Sequence, residues 1–133
     1  MKSIIGAWDL LSFKHTVIET GVESDIMGDT PCGRIIFTSD GFVSVFISKQ
    51  GRADFNKDNG KLYKTMMAYM GKYTLAGDKC NFYIDRTWDP DWMDITLQRQ
   101  IAFDGDTLII TTLPQIGIDG KLSTAKLTWK KSE

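Results

Sequence analysis

Residues 33–49 read GRIIFTSDGFVSVFISK, and this stretch decides the fold class. Gly33–Thr38 and Phe42–Lys49 are two runs rich in β-branched and aromatic residues, the types that fit a pleated, half-buried surface. Between them Ser39-Asp40-Gly41 supplies the chemistry of a tight turn, so the stretch predicts a β-hairpin. The same grammar recurs along the chain. Lys72–Ala76 and Cys80–Thr87 meet at Gly77-Asp78, Asp94–Phe103 and Asp106–Thr112 meet at Asp104-Gly105, and Leu122–Lys130 follows Asp119-Gly120. A long first segment covers 6–18, with Trp8, Leu10 and Ser12 on one face and Asp9, Leu11 and Phe13 on the other. These make eight strand candidates, most of them joined by Gly-containing turns, and predict an all-β chain, an up-and-down antiparallel barrel or a sandwich.

One segment breaks the period of two. In Asn59–Met70, Leu62, Met66 and Tyr69 recur at i, i+4 and i+7, and Tyr63, Met67 and Met70 line an adjacent stripe. That spacing predicts a short helix after the third strand, with Asn59 as N-cap and Gly71 as its stop. The preceding Gln50–Asp58 reads as an exposed loop.

The chain has 133 residues, 42% of them hydrophobic, and reads as one domain over 1–133, large enough to bury a core without staples. Sixteen basic against seventeen acidic residues leave a formal net charge of -1, which argues against a nucleic-acid partner. Cys32, Cys80 and the single His15 form no ligand cluster, so no metal is expected and the cysteines read as free thiols. No apolar run is long enough to span a membrane, and Asp9 interrupts any leader-like stretch; the expected location is cytoplasmic. Glu19, Glu23, Asp25 and Asp29 lack calcium-loop spacing and read as a solvated face. No phosphate loop, dinucleotide fingerprint or catalytic triad is present, so no cofactor is expected.

The sixth strand carries the sharpest anomaly. Ile95, Leu97, Ile101 and Phe103 share a face, and Arg99 falls among them. A guanidinium inside a barrel is costly unless a carboxylate or several carbonyls meet it. Asp85 on the adjacent strand is the candidate, with Tyr83 and Thr87 on its side, but Phe82 and Ile84 occupy the opposite face of that strand. Periodicity leaves open which of the two faces looks inward.

An ordered set of short matches then points to a family. Gly6-Ala7-Trp8-Asp9-Leu10-Leu11-Ser12-Phe13, the run from Gly33 to Phe42, Ala68-Tyr69-Met70-Gly71-Lys72-Tyr73, Asp89-Pro90-Asp91-Trp92 followed by Arg99, Gly105-Asp106-Thr107-Leu108, and Leu127-Thr128-Trp129-Lys130 span nearly the whole chain. In this order they resemble the bacterial and fungal lipocalin-like domain family of small calycin-type barrels. The resemblance implies a closed eight-stranded antiparallel barrel in which Trp8 plugs one end and Lys130 lies across it. It also implies an inward face carrying Tyr83 and Asp85, at positions where the family usually has His and Glu, and Leu97 where it often has Gln.

On this reading the candidate ligand-binding residues are Tyr69, Tyr73, Tyr83, Asp85, Leu97, Arg99, Ser44, Met66 and Trp88. Arg99 would anchor a carboxylate, enolate or carbonyl oxygen, with Asp85 orienting it or acting as a base. Tyr hydroxyls would meet polar atoms of the ligand, and Met66, Met67 and Met70 would form a deformable lid. Ser44 would be a cavity-wall hydroxyl, Trp88 and Trp92 would stand at the rim, and His15 would be exposed or structurally hydrogen-bonded. The function expected is binding of an apolar or aromatic small molecule, in a monomer or weak homodimer. Two alternatives stand beside it. One is a cyclase or isomerase, of the kind the family resemblance implies, that folds its substrate with help from Tyr83, Asp85 and Arg99. The other is a structural or interaction protein whose barrel is filled by its seven Phe, six Met, four Trp and four Tyr.

Overall fold

In the computed structural model, which describes residues 3–116 and 120–132, the expected turns join successive strands. Gly41 and Gly105 take φ values of 98° and 60° between strands, a backbone that residues with a Cβ adopt only with strain. Asp119 of the expected Asp119-Gly120 turn lies outside the described residues.

Eight long strands form the wall: β1 (Gly6–Val17), β3 (Cys32–Phe37), β4 (Phe42–Ser48), β5 (Met66–Ala76), β6 (Lys79–Thr87), β7 (Thr96–Asp104), β8 (Thr107–Thr112) and β10 (Leu122–Lys131). Each pairs antiparallel with its neighbour in the order β1-β3-β4-β5-β6-β7-β8-β10, and β10 returns to pair with β1. The sheet therefore closes into an eight-stranded antiparallel barrel, which leaves its long strands no open edge. Two-residue pieces, β2 (Glu23–Ser24) on β1 and β9 (Gln115–Ile116) on β10, extend the wall at one end.

A bulge in β1 sets what that strand turns inward. Leu10 pairs with Trp129 and Ser12 with Thr128, so Leu11 is an extra residue and the alternation reverses there. Trp8 and Leu10 before it, and Phe13, His15 and Val17 after it, are all buried, while Leu11 is exposed. The uniform alternation expected for 6–18 is thus corrected at one residue, and of the two expectations for His15, exposed or structurally hydrogen-bonded, the exposed one is excluded, because the side chain is buried.

The helix is shorter than its periodicity predicts. α1 covers Asn59–Lys64, with Asp58 rather than Asn59 as N-cap, its side chain accepting from the Lys61 N–H. Beyond Thr65 the chain enters β5, where Met66 through Lys72 pair with Ser48 back to Phe42. Inter-strand hydrogen bonding along β4 outweighs the helical spacing, and Met67 and Tyr69 meet the core by strand alternation. Gly71 is not a helix stop. A Cβ there would collide with the Tyr83 carbonyl across the β5–β6 bulge, so glycine permits the close backbone approach.

One end of the barrel is plugged. Trp8 packs 6.3 Å from Phe103, its Nε1 donates to the Ile4 carbonyl at 2.8 Å, and Lys131 Nζ sits 4.6 Å from the Trp8 ring centroid. Lys131 Nζ also donates to the Ile5 carbonyl at 2.6 Å. The cation across Trp8 is therefore Lys131 and not Lys130. Lys131 follows Trp129 at strand spacing and shares its inward side, whereas Lys130 points out. Replacing Lys131 by Met should lower stability by about 1 kcal/mol through loss of the cation–ring contact and one hydrogen bond. Lys130→Met should change it by less than about 0.5 kcal/mol. Urea unfolding of the two variants side by side checks the assignment, and equal effects would contradict it.

Candidate functional site

At the end opposite Trp8 the barrel opens into a cavity of about 620 Å³. That is room for about twenty water-sized volumes and lies within the usual range for small-molecule sites. Its two walls differ in chemistry. Strands β3 to β6 contribute Ile35, Val45, Ile47, Met67, Tyr69 and Phe82, an almost wholly apolar and aromatic surface. The β7–β8–β10–β1 side and β9 contribute nearly all the polar lining of the barrel wall: Arg99, Thr112, Gln115, Ser123, Thr124 and His15, interspersed with Leu97, Ile110 and Leu127.

Aromatic side chains run without a break from the rim inward. Tyr63 of α1 lies 6.4 Å from Trp88, Trp88 lies 5.1 Å from Trp92, and Trp92 lies 5.3 Å from Tyr69. Local chain geometry places this row. Asp89 caps the short 3-10 turn Pro90–Trp92 by accepting from the Asp91 N–H at 3.0 Å, which folds Trp92 back beside Trp88. Trp88 Nε1 in turn donates to the Tyr63 carbonyl at 3.4 Å, tying the helix to the rim. Lys64, Asp89 and Asp91 supply the charges at the mouth.

Arg99 is 6% exposed and lines this cavity. Its Nη1 donates to the Gln98 carbonyl and to Gln115 Oε1, both at 3.2 Å, and the guanidinium carbon lies 6.0 Å from the Phe82 ring centroid. Among the described residues no carboxylate lies within ion-pair distance of it. Asp85, its expected partner, is on the outer face of β6, its side chain half exposed and 3.9 Å from Arg86. Tyr83 is also outside, bonded to Thr74 on the surface. The inward face of β6 is Phe82 and Ile84, because closing the barrel rewards burial of those two side chains over a Tyr and an Asp. The implied inward Tyr83/Asp85 face is thus corrected, and with it the Asp85–Arg99 pair.

The other expected site residues divide. Tyr69, Leu97, Arg99 and Trp88 line the cavity together. Ser44 alternates outward between Val43 and Val45 and borders a shallow groove on the outer surface with Asp85 and Met70. Met66 is displaced by the strand that replaces the helix, and Met67 takes the inward place. Tyr73 sits toward the plugged end, edge-on to Phe37 at 5.1 Å, with its hydroxyl donating to the Thr38 carbonyl; burial pushes its pKa up.

Residues that the sequence reading missed complete the wall. Trp129 is 1% exposed and follows Ala125 and Leu127 at strict strand spacing, a signal present in the sequence. Its indole N–H is buried and has no hydrogen-bond partner among the described residues. Phe13 and His15 were hidden by the bulge at Leu11, and Gln115 lies in a two-residue strand too short to leave a pattern. Cys80, the register partner of Arg99 on β6, is fully buried on the same inward face as Phe82 and Ile84, and burial pushes its thiol up to about 11.

With no carboxylate beside it among the described residues, the buried guanidinium leaves its desolvation cost unoffset. Arg99→Met should therefore leave the unliganded protein as stable or more stable, by up to about 3 kcal/mol, and Asp85→Asn should change stability by less than about 0.5 kcal/mol. A structural ion pair would give the opposite result, a loss of about 3–5 kcal/mol for either variant. Thermal unfolding of both variants distinguishes the two.

No helix among the described residues is long and apolar enough to cross a membrane. No curated protein matches the chain. The model of the lipocalin-like domain family matches residues 5–132, which is nearly the whole sequence and the whole of the barrel; the chain belongs to the lipocalin-like domain family.

Proposed function

We propose that this protein binds an apolar or aromatic small molecule inside its barrel. The observation that carries the reading is the open cavity of about 620 Å³ with one aromatic and aliphatic wall. An interior left unfilled is costly, because its lining forfeits contacts on the empty side. A ligand restores those contacts, and its apolar surface gains about 25 cal/mol per Å² on leaving water. The row Tyr63, Trp88, Trp92 and Tyr69 offers flat ring surfaces at the mouth, suited to stacking against an aromatic ligand.

The same cavity counts against the filled structural barrel. A catalytic role resting on Tyr83 and Asp85 loses its footing, since both side chains lie outside the cavity. Binding asks only for shape and apolar surface, which the lining supplies.

The neutral dye Nile red tests the reading. One dye should bind per chain with a rise in emission. Ala125 lines the cavity with a small side chain, so Ala125→Trp projects a large ring into the empty space. That variant should retain its strand circular dichroism and lose dye binding at least tenfold. Phe46→Ser, on the exposed outer face, should bind as the wild type does. Dye binding that survives Ala125→Trp but fails in Phe46→Ser would place the site on the outer surface and contradict the proposal.

A further inference from the structure

From the donors left open in the cavity wall we infer that the ligand is a monocarboxylic acid, held by its carboxylate on Arg99. The inference rests on the cavity reading above and specifies its chemistry. Arg99 carries five N–H donors. Nη1 is committed to Gln98 and Gln115, while Nε and Nη2 have no acceptor among the described residues. Those two atoms form one edge of the planar guanidinium, the edge that meets both oxygens of a carboxylate in two parallel hydrogen bonds.

Three features narrow the class. The two bonds from Nη1, to the Gln98 carbonyl and to Gln115 Oε1, both at 3.2 Å, restrain the guanidinium, so the remaining edge is partly preorganised. The buried N–H of Trp129 is a second cavity-wall donor without an acceptor, so the wall offers unfilled donors and the ligand must bring acceptors. Arg99 is also the only Lys or Arg lining the cavity apart from Lys64 at the mouth, among the described residues. One guanidinium neutralises one negative charge, whereas a phosphate monoester would bring nearly two. The opposite wall, almost wholly aromatic and aliphatic, takes the rest of the molecule.

The experiment compares 2-naphthoate with 2-naphthamide, nearly identical in shape but differing in charge, by displacement of Nile red from the full chain. The wild type should prefer the acid at least tenfold. Arg99→Met should weaken the acid at least tenfold and leave the amide within about threefold, so that the preference disappears. Arg99→Lys, which keeps the charge and removes the planar fork, should recover only part of it. Equal affinities in the wild type, an acid preference that survives Arg99→Met, or dye binding with no displacement by the acid would each overturn the inference while leaving the cavity reading intact. If neither the dye nor either naphthalene binds, the cavity reading falls, and this inference with it. The wild-type comparison needs no variant to fold.

Discussion

Pairing between β1 and β10 is the constraint on which the molecule depends. Nine residue pairs from Trp8↔Lys131 to Val17↔Ser123 close the sheet, and closure alone decides that the wall has an inside. The single extra residue at Leu11 then settles what the inside contains. Without that bulge, Phe13 and His15 would sit on the solvent side of the strand, because a one-residue slip exchanges the two faces. With it, the strand delivers Trp8 to the plug and Phe13 and His15 to the cavity. The plug and the pocket are therefore two consequences of one irregular pairing.

Stability and function pull apart at Arg99. The plugged end is built from well-satisfied groups: Trp8 has its carbonyl partner and its cation, and Asp9 accepts from both Ser132 and Arg34. Those bonds, from Ser132 first and then Arg34, hold the Asp9 carboxyl below its ordinary range. The cavity wall carries a buried cation whose Nε and Nη2 have no acceptor among the described residues and, deeper beside Leu108, an indole N–H likewise without one. Proteins rarely leave such groups unpaired in the interior. Both line the same cavity, and the carboxylate proposed above would supply the acceptors that the open edge of Arg99 lacks.

Much of the fold was legible because alternation and turn chemistry are local properties of the chain. The hairpin at Ser39-Asp40-Gly41 and the runs around Gly77 and Gly105 report directly on strand and turn. What escaped was set by pairing across the sheet. Met66–Met70 has helical spacing but lies beside β4 and takes its geometry from that neighbour. The exchange of Lys130 for Lys131 is a matter of one residue of register. Arg99 was legible as a guanidinium in a strand's apolar face, since three aliphatic neighbours at strand spacing announce it. Its partner was not legible, because both faces of Cys80–Thr87 carry apolar side chains. Only closure of the barrel chooses Phe82 and Ile84 over Tyr83 and Asp85.

The central claim is that a small molecule fills the cavity with a polar group on Arg99 and its apolar body against Tyr69 and Phe82. A crystal structure of the protein isolated gently from its own source, without added ligand, tests this most directly. The account predicts continuous density for a small molecule inside the barrel, with acceptor atoms within about 3 Å of Arg99 Nε and Nη2 and flat or aliphatic density beside the aromatic row. A barrel whose side chains have collapsed to fill that space, or in which Arg99 turns to a carboxylate of its own chain, would contradict it.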